Sequence, residues 1–156
     1  ESMIAYLRQT AAETHFMVRL PEEVDFTLEE EERILRNIRK SDKDLMLAVF
    51  DGDRVVGNVG VHIFHDRTKV RHRSSLGIAI IQEYCSSGLG TILMERGIDF
   101  AKKAGFEQLE LGVFADNDRA LRLYKKMGFE EIGRIPRAFR LPDGSYIDEI
   151  TMVKML

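Results

Sequence analysis

The chain has a single cysteine, Cys85, in 156 residues, so no disulfide can close within it and a reducing cytoplasm is the expected compartment. No apolar run reaches the about 18 residues that a membrane-spanning helix requires, and no signal-peptide pattern opens the sequence. Membrane is therefore not an expected partner. There is also no excess of positive charge. The 23 Lys and Arg are outnumbered by 26 Asp and Glu, the net charge is -3, and the longest charged run, Glu29 to Arg33, is mainly acidic. A footprint for a phosphate backbone is missing, which excludes nucleic acid as an expected partner. Linkers and low-complexity tracts are absent too. The similar hexamers KKAGFE (102–107) and KKMGFE (125–130) are two helix stops leading into strands, not a repeat architecture. What is present, 44% hydrophobic residues, suits one domain over residues 1–156 that buries most of its apolar surface.

The apolar spacing alternates between helix and strand periods. Met3, Ile4, Leu7 and Ala11 read as helix almost from Glu1, so a strand ahead of that helix is expected to be missing. Thr27 followed by Glu30 has the spacing of a capping box and predicts a helix from 28 to about 40. Leu45 to Phe50 and the alternating Val55, Gly57, Val59, Val61 and Ile63 predict a hairpin around Asp51-Gly52-Asp53. A third strand is expected over about 70–81. It has Leu76, Ile78 and Ile80 on one face and the small Ser75, Gly77 and Ala79 on the other. After the stretch CSSGLGT (85–91), Leu89, Ile92, Leu93, Phe100, Ala101 and Ala104 keep a helical period until Gly105. Strand 108–114, a helix capped by Asp116 or Asn117 and stopped by Gly128, and two strands about Leu141-Pro142-Asp143-Gly144 complete the chain. Strand, helix and strand in that order predict a parallel pair, strands 76–81 and 108–114, with a right-handed crossover. That arrangement puts loop 82–88 at the carboxyl edge of the sheet, where ligands bind.

Two segments carry the chemistry. Ser86 to Thr91 can present successive backbone N–H groups at a helix start, with Gly88 and Gly90 allowing close approach, and such an end attracts anions without a lysine. Alone, a glycine pair between strand and helix serves equally well as a plain turn. In the second segment, Asn117, Ala120, Leu121 and Tyr124 share one helical stripe, which aims an amide and a phenol the same way; a core tyrosine would also fit.

The stretch from Asn117 to Phe129 resembles the NxxAxxLYxKxGF pattern of the GNAT superfamily of acetyl-CoA-dependent N-acetyltransferases. CSSGLG stands where that family has its Q/R-x-x-G-x-G/A loop. The resemblance covers about residues 45–155 and implies an α/β fold, a mixed and mostly antiparallel sheet with a splayed parallel pair, flanked by helices. It implies acetyl-CoA as acyl donor, an amine as acceptor and no metal. It implies roles for Ile80 and Ile81 beside the pantetheine, and for Cys85, Ser86, Ser87, Gly88, Leu89, Gly90 and Thr91 around the pyrophosphate. Asn117 would hold the cofactor arm and Tyr124 would protonate the departing thiolate. The implied reaction is acetyl transfer to a primary amine of a small metabolite. A protein N-terminus or lysine is the rival acceptor, a CoA-binding sensor without turnover the rival function, and a homodimer an open assembly.

The sequence departs from the pattern twice. Cys85 replaces the usual Gln or Arg, which leaves the backbone donors in place, and Ser75 stands where many relatives have a glutamate near the acceptor. An alkyl amine with a pKa of about 10.4 is protonated at neutral pH, so a base is required. Glu83, His62, His72 and Asp148 are the candidates, each equally readable as a solvated or structural side chain. His62 and His65 fall on opposite strand faces and are not expected to share a metal. Glu22, Glu23, Asp25 and Glu29 to Glu32 could draw a cationic acceptor, and read more simply as a solvated helix face with a favourable dipole.

Overall fold

A computed structural model describes residues 1–156. Two helices, α1 (Ser2–Glu13) and α2 (Leu28–Lys40), precede the hairpin β1 (Leu45–Asp51) and β2 (Arg54–Ile63). Then follow β3 (Arg73–Ile80), α3 (Leu89–Lys103), β4 (Gln108–Phe114), α4 (Asp118–Lys126), β5 (Glu130–Arg140) and β6 (Tyr146–Met155). The capping box forms at α2: Thr27 Oγ1 accepts from Glu30 N at 3.2 Å, and the Glu30 carboxylate accepts from Thr27 N at 2.9 Å. Gly105 and Gly128 take positive φ just past α3 and α4, where a helix stop needs the left-handed region.

The strands form one sheet in the order β1-β2-β3-β4-β6-β5, antiparallel at every junction except β3–β4. That junction departs from expectation in its extent. The third strand begins at Arg73 rather than near residue 70, because Val70 and Arg71 donate back to Arg67 in a turn. Parallel pairing then joins only Arg73, Ser74 and Ser75 to Gln108, Leu109 and Glu110. Residues 76–80 and 111–114, expected to be paired before diverging, face one another across an open splay.

The two faces of the sheet are covered differently. α3 and α4 pack on Val59, Val61, Leu76, Leu111, Val113, Ile150 and Met152 to make the larger core. On the other face α1 seals a smaller core of Met3, Tyr6, Val55, Val56 and Ile81. The Tyr6 hydroxyl, 2.8 Å from both Asn58 Oδ1 and Ala79 O, pins α1 across β2 and β3 beside the splay.

Burial raises the Tyr6 pKa well above its ordinary value of about 10. The unfolded chain releases this proton near pH 10 while the folded chain keeps it, so the stabilisation is whole below pH 10 and falls as pH rises further. Tyr6→Phe should cost about 1–3 kcal/mol at pH 7, because the one phenol proton shared between two half-buried acceptors is lost. The gap from wild type should narrow above pH 10. Urea denaturation of both proteins across that range checks it.

Candidate active site

The splay opens into a cleft of about 780 Å³, within the range of sites that take small-molecule ligands. Its walls are β3 from Leu76 to Ile80, β4 from Gly112 to Phe114, and the start of α4. The segment 13–18 that leaves α1 lines one side, and Phe139 of β5 and Glu149 of β6 also reach it. Backbone donors and acceptors along the facing edges of β3 and β4 have no strand partner here, so an extended chain with amide groups could pair with them.

At one end lies the loop before α3. Gly88 caps that helix at φ +89°, a conformation glycine adopts without penalty, and Ser86 also sits at positive φ. The N–H groups of Ser86, Ser87, Gly88 and Gly90 have no acceptor in the protein; Thr91 and Ile92 donate to Gly88 O, and Leu89 to Ser87 Oγ. Four free donors at the start of a fifteen-residue helix suit an anion. Gly90 is needed for packing: a Cβ there would stand 3.1 Å from Leu123 of α4. Cys85 lines the cleft, its sulfur 3.6–3.7 Å from the carbonyls of Ile81 and Ile80.

Across the loop, α4 supplies what the loop lacks. Lys126 Nζ donates to Thr91 Oγ1 at 3.1 Å, and Arg119 and Arg122 stand three and four residues apart along the same helix, both lining the cleft. The sequence separates these cations from the loop by more than 25 residues. Their i, i+3, i+7 spacing was the available signal.

Asn117 and Tyr124 both line the cleft, but their amide and phenol do different work. Asn117 is the cap of α4, its Oδ1 accepting from Ala120 N at 3.1 Å, which leaves its NH₂ for other acceptors. Tyr124 is 7% exposed, and burial alone pushes its pKa up to about 12, so the phenol stays protonated throughout the physiological range. Ile80 lines the cleft; Ile81 does not, being fully buried against α1 with its N–H bonded to Val56 O.

None of the four histidine and carboxylate candidates for a base reaches the cleft. Glu83 pairs with Arg54 at 3.2 Å on the surface, and His62 contacts Asp44 at 3.1 Å beside β1. Asp148 accepts from Arg137 N at 2.9 Å, and His72 precedes the paired end of β3. Ser75 also belongs to that paired end. The titratable groups that do line the cleft on the α1 side are Glu13, His15, Asp116 and Glu149. Glu13 is occupied by Gln9 and by the N–H of Gln82, and His15 Nε2 lies 2.7 Å from Asp116 Oδ2. Phe16, Phe114 and Phe139 lie beside them: Phe16 meets Phe114 edge-on, and Phe114 and Phe139 stack with centroids 3.6 Å apart and nearly parallel. No three His, Cys, Asp or Glu gather as a metal-holding group, and no helix is long and apolar enough to cross a membrane.

The sheet parted at its one parallel junction, the free N–H donors at the mouth and the buried phenol inside fit an acyl-group transferase. The chain matches the Acetyltransferase (GNAT) family over residues 5–129 and belongs to it. It is similar to the L-amino acid N-acetyltransferase AaaT of Escherichia coli (strain K12), 31% identical over 111 residues, which cover 70% of this chain and 67% of the relative. It is 43% identical over 54 residues to the [Ribosomal protein bS18]-alanine N-acetyltransferase of the same organism, covering 35% of this chain and 36% of that one. The crystal structure of a GNAT-family acetyltransferase from Streptococcus pneumoniae superposes with a TM-score of 0.94 at 31% identity, covering 99% of this chain and 92% of that one.

Proposed function

We propose that the protein transfers the acetyl group of acetyl-CoA to a primary amine of a small metabolite in the cytoplasm, by direct attack of the amine, with Tyr124 as general acid. The observation that carries this reading is the splay itself, which gives a thioester access to both faces of the sheet at once. The free N–H groups of Ser86, Ser87, Gly88 and Gly90 hold the pyrophosphate. The unpaired edges of β3 and β4, from Ile80 inward, pair with the pantetheine amides, and the NH₂ of Asn117 donates to a carbonyl of the same arm. Tyr124, kept neutral by burial, donates to sulfur as negative charge develops there.

Lys126 adds a point charge beside the loop. Lys126→Ala should weaken acetyl-CoA about fivefold at low ionic strength, as expected for a surface charge pair, and the loss should shrink with added salt. Calorimetric titration at two salt concentrations checks both.

A longer acceptor has one observation in its favour. A second hollow of about 710 Å³ adjoins the cleft through His15, Met17, Val18 and Phe114, then runs past Leu20, Pro21 and Arg140. A peptide N-terminus would fit such a continuation. Thiol release measured over free amino acids, alkyl amines and short peptides decides between the acceptors. Higher kcat/KM on free amines supports the metabolite reading, turnover on peptides alone supports the rival, and acetyl-CoA binding without turnover on any amine would make the protein a sensor.

A further inference from the structure

The geometry points to Glu149 as the general base that takes the proton from the acceptor ammonium, from a place that exists only because residue 112 is glycine. This rests on the reading of the protein as an N-acetyltransferase. A Cβ built on Gly112 would stand 1.6 Å from Glu149 Oε1 and 2.7 Å from its Cδ. The carboxylate therefore lies directly over the bare backbone of β4, in the volume a side chain at 112 would fill. It reaches there diagonally, since Glu149 is paired with Phe114 and Gly112 with Thr151 in the antiparallel β4–β6 ladder.

Three further observations make this a working position. The parallel register of Ser75 with Glu110, carried on by two residues, brings Gly77 level with Gly112. Two bare positions on one face of the sheet thus mark the point where the strands part, and both line the cleft. Secondly, Glu149 lies on the opposite face from Tyr124. Leu111, Val113, Ile150 and Met152 turn into the core under α3 and α4, where Tyr124 sits, whereas Gly112, Phe114, Glu149 and Thr151 alternate to the α1 side. An amine arriving from the α1 side and a thiolate leaving toward α4 would each meet one of the two groups. Thirdly, Glu149 is uncommitted. It joins no ion pair, whereas Asp148 beside it is held by Arg134 and Arg137, and the other cleft groups on that side are bonded to protein partners.

In the proposed step Glu149 accepts one proton from R–NH₃⁺, directly or through one water. The nitrogen lone pair forms the N–C bond to the thioester carbonyl carbon and the C–S bond breaks. Sulfur takes the Tyr124 proton, and the proton lost from the new amide nitrogen restores the phenol. Glu149 then releases its proton to solvent. The sum is R–NH₃⁺ and acetyl-CoA giving the acetamide, CoA–SH and one proton.

Two variants test it. Glu149→Gln should lower kcat/KM for an alkyl amine by about 10²–10⁴ at pH 7 while acetyl-CoA affinity, read by calorimetry, is unchanged. Its residual rate should climb about tenfold per pH unit toward the amine pKa, because only pre-formed free amine then reacts. The deficit should shrink for amines of lower pKa. Calorimetric affinity of the CoA-bound protein for the ammonium form should also fall. Gly112→Ala should reproduce these effects with the fold retained, since the clash is with the mobile end of Glu149, and the double variant should be no worse than Glu149→Gln alone. Wild-type rate and pH profile in Glu149→Gln would overturn the assignment, as would a loss confined to His15→Ala. No acetyl transfer by the wild type would instead overturn the enzyme reading.

Discussion

Tyr124→Phe should lower turnover by about 10²–10⁴ and leave acetyl-CoA affinity nearly unchanged. The ring is a core residue as much as a catalytic one: it packs against Phe129 with centroids 6.0 Å apart and belongs to the larger core. Phenylalanine keeps that packing, so a drop in rate reports the hydroxyl alone. The hydroxyl carries little ground-state binding, because its task begins when charge appears on sulfur. Burial pushes its pKa up to about 12, so the phenol stays protonated near neutrality and any limb of the pH–rate profile there belongs to another group. Single-turnover rates with the best amine, together with calorimetry, read both quantities. Unchanged chemistry in a variant that binds acetyl-CoA normally would reduce Tyr124 to a packing residue.

Much of this is legible in the sequence, for reasons tied to range. Features set by neighbours within one turn or hairpin came through: the capping box at Thr27, the stops at Gly105 and Gly128, and the hairpin about Gly52. So did the strand–helix–strand order that puts the loop at the sheet edge. What depended on residues distant in sequence did not. Lys126 reaches Thr91 from the next helix, past an intervening strand, and Glu149 meets Gly112 across a strand pairing that no period reveals. Ile81 shows the converse. Adjacent in sequence to Ile80, it turns into the α1 core because its N–H continues the ladder to Val56 as the strand bends into the loop. The signal for the base is not a polar residue near a motif but a residue with no side chain, Gly112, whose bare backbone leaves room for the Glu149 carboxylate.

Gly88→Val should weaken acetyl-CoA by about ten- to a hundredfold or more while the protein stays folded. A Cβ at 88 meets nothing within 4 Å, so the substitution causes no clash and the core beneath is untouched. The difficulty is the backbone, since φ +89° is a conformation that costs a β-branched residue about 1–3 kcal/mol. The exposed loop can relieve that strain by turning its peptide planes, because Ser86, Ser87 and Gly88 donate to nothing in the protein that would hold them. Turning them away misdirects the donors that await the pyrophosphate. Each hydrogen bond to a charged group is worth about 1.5–3 kcal/mol, so losing one or two gives the stated range. Gly88→Asn separates the two causes, because asparagine tolerates the left-handed region and should keep most of the affinity. Equal affinity in wild type, Gly88→Val and Gly88→Asn, with circular dichroism showing the fold intact, would mean that the loop amides do not bind the pyrophosphate.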